Sequence, residues 1–148
     1  MDNLEQAASP EFQHRLNQGP ILADGAMGTE LLRRSNLRVE SCLEQLNLSS
    51  PKLVRAVHLD YIEAGAELIA TNTYGANRIR LEHHGLANSV QELNQSAVKI
   101  SKEAIRLTGQ HVWVAGTIGP LGKSIAPLGP ITKSQAREAF QEQALALI

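Results

Sequence analysis

Three short apolar runs in this sequence each end in a cluster of small polar residues. Asp24-Gly25 follows Ile21-Leu22-Ala23, Thr71-Asn72-Thr73 follows Leu68-Ile69-Ala70, and Gly116-Thr117 follows His111–Ala115. Asp24 is the strongest single candidate. A carboxylate just beyond a buried strand can accept hydrogen bonds from a ligand amine, and it can equally cap the following turn through an Asx-type bond. Gly25 and Gly28 stand three apart, where the backbone can approach a ligand closely and aim amides at a carboxylate. A tight turn accounts for the same spacing. Thr71, Asn72 and Thr73 either line a pocket or satisfy loop amides. Arg78 suits an anionic substrate, with a solvated surface arginine as the simpler reading.

Other chemistries find little support. Cys42 stands alone, and its neighbours Glu40 and Glu44 oppose a thiolate. None of the five histidines has cysteine or carboxylate partners at metal-ligand spacing. His83 and His84 are adjacent, so their side chains diverge. His58 falls within a helical pattern, where packing or a surface position is the expectation. Gly-x-Ser-x-Gly, the dinucleotide glycine pattern and the nucleotide-binding loop are all absent. Trp113 lies in an apolar run and is expected in the core. These residues therefore offer no metal site.

The elements that must hold the three tips follow from periodicity. Pro10–Asn17 is helix-like, ahead of Gly19-Pro20. Ser50-Pro51 reads as a serine cap with proline at the first helical position, opening a helix that closes at Gly65. Leu86, Val90, Leu93, Ala97, Ile100, Ala104 and Leu107 lay one apolar stripe along a third helix, stopped by Gly109. Thr132 and Gln135 form a capping-box pattern for a last helix. Residues 33–44 read as loop with a short helix. The order is strand, helix, strand, helix, strand, helix. Strands that are apolar without alternation are expected to be covered on both faces. In α/β architectures ligands collect at the C-terminal ends of strands, so the three tips are expected to converge.

Composition bounds the rest. The chain has 148 residues, with 14 lysines and arginines against 15 aspartates and glutamates, and a net charge of -1. That balance argues against a nucleic-acid partner or a polybasic membrane patch. Hydrophobic residues at 43 % exclude a disordered composition, and one cysteine excludes an internal disulfide framework. Neither a secretory signal nor a membrane-spanning run is visible, so the cytoplasm is the expected compartment.

Three stretches together resemble the homocysteine S-methyltransferase family. They are Ile21–Leu31 (ILADGAMGTEL), Asp60–Asn77 (DYIEAGAELIATNTYGAN) and Val114–Pro120 (VAGTIGP), in family order. The resemblance runs from about Gly19 to Ile148. Cys42–Leu48 and Gly75–Ile79 look most like two relatives: the transferase module fused to methylenetetrahydrofolate reductase, and the N-terminal module of cobalamin-dependent methionine synthase. The fold the resemblance implies is α/β, the first three βα units of a (β/α)8 TIM barrel, incomplete as given. Residues 1–18 form a lead with a short helix, and 19–148 a partial barrel. A complete barrel needs roughly 250 residues. Three barrel strands leave an open edge, so a marginal, aggregation-prone or oligomeric chain is expected.

The implied reaction transfers a methyl group to the zinc-bound thiolate of homocysteine, giving methionine. Zinc lowers the thiol pKa and so supplies a nucleophile at neutral pH. By carry-over from the family motifs, Asp24 holds the substrate amino group and the Gly25 region its carboxylate, while Thr71 and Thr73 lie beside the pocket. The methyl donor is open among a methylated folate, methylcobalamin, and a sulfonium or betaine compound. The family holds its zinc on three cysteines in the later part of the domain. This sequence has none of them, and Cys42 does not match. A further substrate-binding carboxylate after the fourth strand is also missing. The chain alone is therefore expected to be inactive. Its partners would be the remaining part of the barrel, or a fused reductase or cobalamin module. Two alternatives stay open: another α/β-barrel enzyme, and a truncated, non-catalytic chain acting as a binding or assembly partner.

Overall fold

The computed structural model describes residues 9–148. Seven helices and two strands are present among them: α1 (Pro10–Asn17), α2 (Met27–Arg34), α3 (Leu46–Ser49), α4 (Pro51–Glu63), β1 (Leu68–Ala70), α5 (Arg78–Leu81), α6 (Val90–Thr108), β2 (Trp113–Ala115) and α7 (Lys133–Leu147). Short 3-10 turns lie at Leu43–Gln45, Glu82–His84 and Ala87–Ser89.

The protein is mostly helical, and this overturns the expected partial (β/α)8 TIM barrel. Its sheet has two parallel strands of three residues each, in register Leu68↔Trp113, Ile69↔Val114 and Ala70↔Ala115. The first expected strand, Ile21-Leu22-Ala23, survives only as a single bridge from Ala23 to Leu68. The reason lies in its hydrogen bonds. Pro20 offers no N–H, and the Leu22 carbonyl accepts from both Glu67 (2.8 Å) and Leu68 (3.2 Å). Asp24 N–H donates to Leu68 O at 2.9 Å. The next donor along β1, Ala70 N–H, goes to the Asp24 side chain at 2.9 Å. A carboxylate oxygen thus stands where a main-chain carbonyl would have extended the ladder.

The helices follow the apolar pattern closely. α6 buries Val90, Leu93, Ala97, Ile100 and Ala104 on one face, and Leu86 lies ahead of it beside the Ala87–Ser89 turn. Both arms of the Thr132–Gln135 capping box form. Ser50 occupies the N-cap of α4, but its side chain makes no capping hydrogen bond. One core cluster joins Leu31, Leu46, Val54, Val57 and Ile100 from α2, α3, α4 and α6. A second joins Ile62, Ala66, Ile69 and Ala104 beneath β1. Trp113 is only partly buried. It meets Phe12 of α1 and His111 edge-to-face, at 5.3 and 4.7 Å between ring centres. α1 is tied to the residue preceding β1 by a two-pronged Arg15–Glu67 pair, with both contacts at 2.8 Å. Among the described residues no helix is long and apolar enough to cross a membrane.

Candidate functional site

The tips after Ala23, β1 and β2 converge, as their composition suggested. A cleft of about 370 Å³ opens there, bordered by Gly25, Gly28, Glu44, Thr71, Tyr74, Arg80 and Thr117, with Met27 and Leu43 as apolar wall. Asp24, half-buried, does not itself line the cleft but adjoins two residues that do, Gly25 in sequence and Ala70 through a hydrogen bond. Oδ2 accepts from Ala70 N–H, and this is the one hydrogen bond to the carboxylate among the described residues. Partial burial raises the Asp24 pKa above the usual carboxylate value, and the bond from Ala70 offsets part of that rise.

Gly25 sits against Tyr61, where a Cβ would lie 2.9 Å from the phenol oxygen. Only glycine allows this approach without displacing the ring. The Tyr61 hydroxyl donates to Ala26 O at 3.4 Å. Ala26 is the N-cap of α2 and makes no side-chain capping bond. The first amides of that helix are therefore left open, a feature that favours anions.

Thr71 and Thr73 are both buried, at 3 % and 0 % exposure, and they close a ring with Thr117. Thr73 Oγ1 donates to Thr117 O at 2.7 Å, and Thr117 N–H donates to Thr71 Oγ1 at 3.0 Å. The two hydroxyls lie 2.7 Å apart. Because the Thr73 proton is committed to Thr117, Thr71 is the donor between them. Thr71 borders the cleft; Thr73 lies behind it.

Buried amide side chains hold the 72–77 backbone from three helices. Asn47 Nδ2 donates to Asn72 O (2.8 Å), and Asn72 Nδ2 returns a bond to Asn47 Oδ1 (3.0 Å). Asn94 Nδ2 donates to Ala76 O at 3.0 Å, and Gln143 Nε2 to Thr73 O at 2.7 Å. The cleft wall is therefore fixed by the helices behind it, consistent with a preorganised site.

Sequence reasoning missed Glu44 and Tyr74 as cleft residues. Glu44 reaches over from the Leu43–Gln45 turn and accepts from Gly75 N–H at 2.6 Å and from Cys42 Sγ at 3.4 Å. Nothing in the local pattern announces a contact spanning thirty-one positions. Arg78, expected in solvent, is half exposed and paired with Glu142 of α7. It borders a different groove between α5 and α7 that gathers none of the three tips.

No group of three or more His, Cys, Asp or Glu among the described residues could hold a metal ion. Burial, reinforced by Glu44, pushes the Cys42 thiol up to about 11, so it is a thiol rather than a thiolate ligand. The described residues do not fit a zinc centre.

A profile described as Homocysteine S-methyltransferase matches residues 21–148. Methionine synthases of Mycobacterium tuberculosis and Mycobacterium leprae are each 33 % identical over 141 residues, covering 90 % of this chain and 12 % of theirs. The metallated form of the homocysteine methyltransferase MmuM from Escherichia coli superposes with a TM-score of 0.74 at 27 % identity, over 91 % of this chain and 52 % of that one. Its oxidized form gives 0.69 at 29 % identity, over 89 % and 50 %. The chain thus spans about half the length of those structures and a small part of the methionine synthases. With the family profile matched over most of its length, this chain belongs to the homocysteine S-methyltransferase family.

Proposed function

We propose that this chain provides the amino-acid-holding part of a site that methylates homocysteine to methionine. The observation that carries the reading is the Asp24 carboxylate, fixed through one oxygen to the N–H of Ala70, a cleft-lining residue, in a member of this family. Its other oxygen is available to a ligand ammonium. A charge-assisted bond from that ammonium would be among the stronger contacts available. The open amides at the start of α2, beside Gly25, would take the carboxylate of the same amino acid. Thr71 borders this ligand, and Thr73 stiffens the wall through Thr117.

In this family reading zinc would make the homocysteine sulfur a nucleophile. The described residues offer no ligand set for it, so no step is assigned here beyond capture and orientation of the amino acid. The chain by itself is proposed to be without methyl-transfer activity. The rest of the site would come from a further portion of the domain or from a fused reductase or cobalamin module. The methyl donor class includes a methylated folate and methylcobalamin.

Calorimetric titration with homocysteine, with and without zinc, tests this reading. Saturable binding of equal strength in both conditions supports it. Absence of binding, or binding only with zinc, contradicts it.

A further inference from the structure

Arg80 is the cation of the cleft. Its guanidinium carbon lies 5.8 Å from the centre of the Tyr74 ring, and its backbone N–H is held by the Asn77 side chain at 3.0 Å. Arg15, Arg34, Arg55 and Arg78 are each paired with a carboxylate. Among the described residues the Arg80 guanidinium has no ion pair and no hydrogen bond.

The nearby acid does not answer it. Glu44 is committed to Gly75 N–H and Cys42. Both side chains rest over Gly75, where a Cβ would lie 2.6 Å from Glu44 Oε1 and 2.9 Å from Arg80 Nε. Glycine at this position is what lets the guanidinium settle against the backbone. The guanidinium lies over Tyr74 with its donors unused, and such a planar fork matches a carboxylate in two-pronged fashion.

We infer that Arg80 is a carboxylate-recognising group of this cleft, placed to take the carboxylate of a second reactant, the methyl donor, admitted beside the amino acid. The carboxylate site stands on the cleft geometry; its assignment to the methyl donor rests on the function proposed above.

Glutarate and trimethylsulfonium serve as anionic and cationic probes, followed by the NMR signals of Gly75 N–H and Arg80 Nε–H. Glutarate should shift both signals saturably. R80Q should weaken that binding by on the order of tenfold or more, and R80K by less, because lysine keeps the charge and loses the fork. R78Q, in the separate groove between α5 and α7, should leave the glutarate titration unchanged. Thermal melts check that each variant folds, and R80K carries the test if R80Q does not. Equal glutarate affinity in the folded variants, or trimethylsulfonium shifting the same signals with comparable affinity, overturns the inference. Failure of homocysteine to bind the unaltered chain, with glutarate binding intact, overturns the donor assignment and leaves the carboxylate site standing.

Discussion

Asp24 meets the Ala70 N–H with its side chain: Oδ2 accepts at 2.9 Å, where the ladder from the Ala23–Leu68 bridge calls for a main-chain carbonyl. The residue that ends the sheet pairing on that side is the one proposed above to hold the ligand ammonium. Local structure and candidate chemistry therefore share one hydrogen bond, and mutation of Asp24 can separate them.

D24N should separate function from stability. Asparagine keeps a side-chain acceptor for Ala70 N–H and removes a partly buried charge. The folded-state pKa of Asp24 is raised by burial, so folding favours the protonated form. The ionised carboxylate is a cost that appears as pH rises above the ordinary carboxylate value. At neutral pH the melting temperature of D24N should equal or exceed that of the unaltered protein, while homocysteine affinity falls about tenfold or more. D24A, which leaves Ala70 N–H without its partner, should lose about 1 kcal/mol in urea denaturation. A purely turn-capping Asp24 would show the stability loss with no change in binding.

T73V should destabilise the protein by about 1–3 kcal/mol. Valine removes the donor to Thr117 O and leaves the buried Thr71 hydroxyl without its acceptor. T73S restores both bonds and should recover most of the loss. Chemical denaturation of the two variants side by side checks this, and equal stability of both would show that the ring contributes nothing.

His58 makes stability depend on pH. It is fully buried between α4 and α6, with Nε2 3.2 Å from Ser101 Oγ. The Ser101 hydroxyl donates to Ala97 O at 3.0 Å, so Nε2 carries the histidine proton and Nδ1 is the deprotonated nitrogen. Nδ1 has no partner. Burial lowers the His58 pKa from 6.5 to about 4. Folding therefore favours the neutral ring, and its contribution is complete above pH 6.5 and lost as pH falls to 4. The full loss is about 3 kcal/mol. Glu30, held at about 2 by Arg33 and Arg34, loses its contribution as pH falls from 4.5 to 2 and overlaps only the foot of that window. Urea midpoints should fall between pH 6.5 and 4 in the unaltered protein and less steeply in H58Q. Parallel slopes in the two would remove His58 as the cause.

Helices were largely legible in the sequence, and so were β1 and β2, which fall within the runs 68–71 and 111–115; the first expected strand did not form. Pro10–Asn17, the α6 stripe and the Thr132–Gln135 box carry their signals within a few positions, through periodicity and capping chemistry. The Ile21–Ala23 run has the composition of a strand, but strand formation depends on which acceptor Ala70 meets, 46 positions away. Gly25 and Thr71 were recoverable as cleft-lining residues because each follows an apolar run, and such ends converge when the runs lie parallel. Thr73 was visible as part of the cluster, but its hydroxyl turns to Thr117 rather than to the cleft. Glu44, Tyr74 and the unpaired guanidinium of Arg80 meet only through tertiary packing over Gly75. No local pattern encodes that meeting.

The Asp24 carboxyl itself gives the most direct reading of the central claim. Its side-chain carbon can be followed by NMR across a pH titration, with and without homocysteine. Without ligand the pKa should lie above the ordinary aspartate value. If the carboxylate receives the homocysteine ammonium, saturation should bring that pKa down, because a neighbouring positive charge favours the ionised form. A titration curve unmoved by saturating homocysteine would contradict the account.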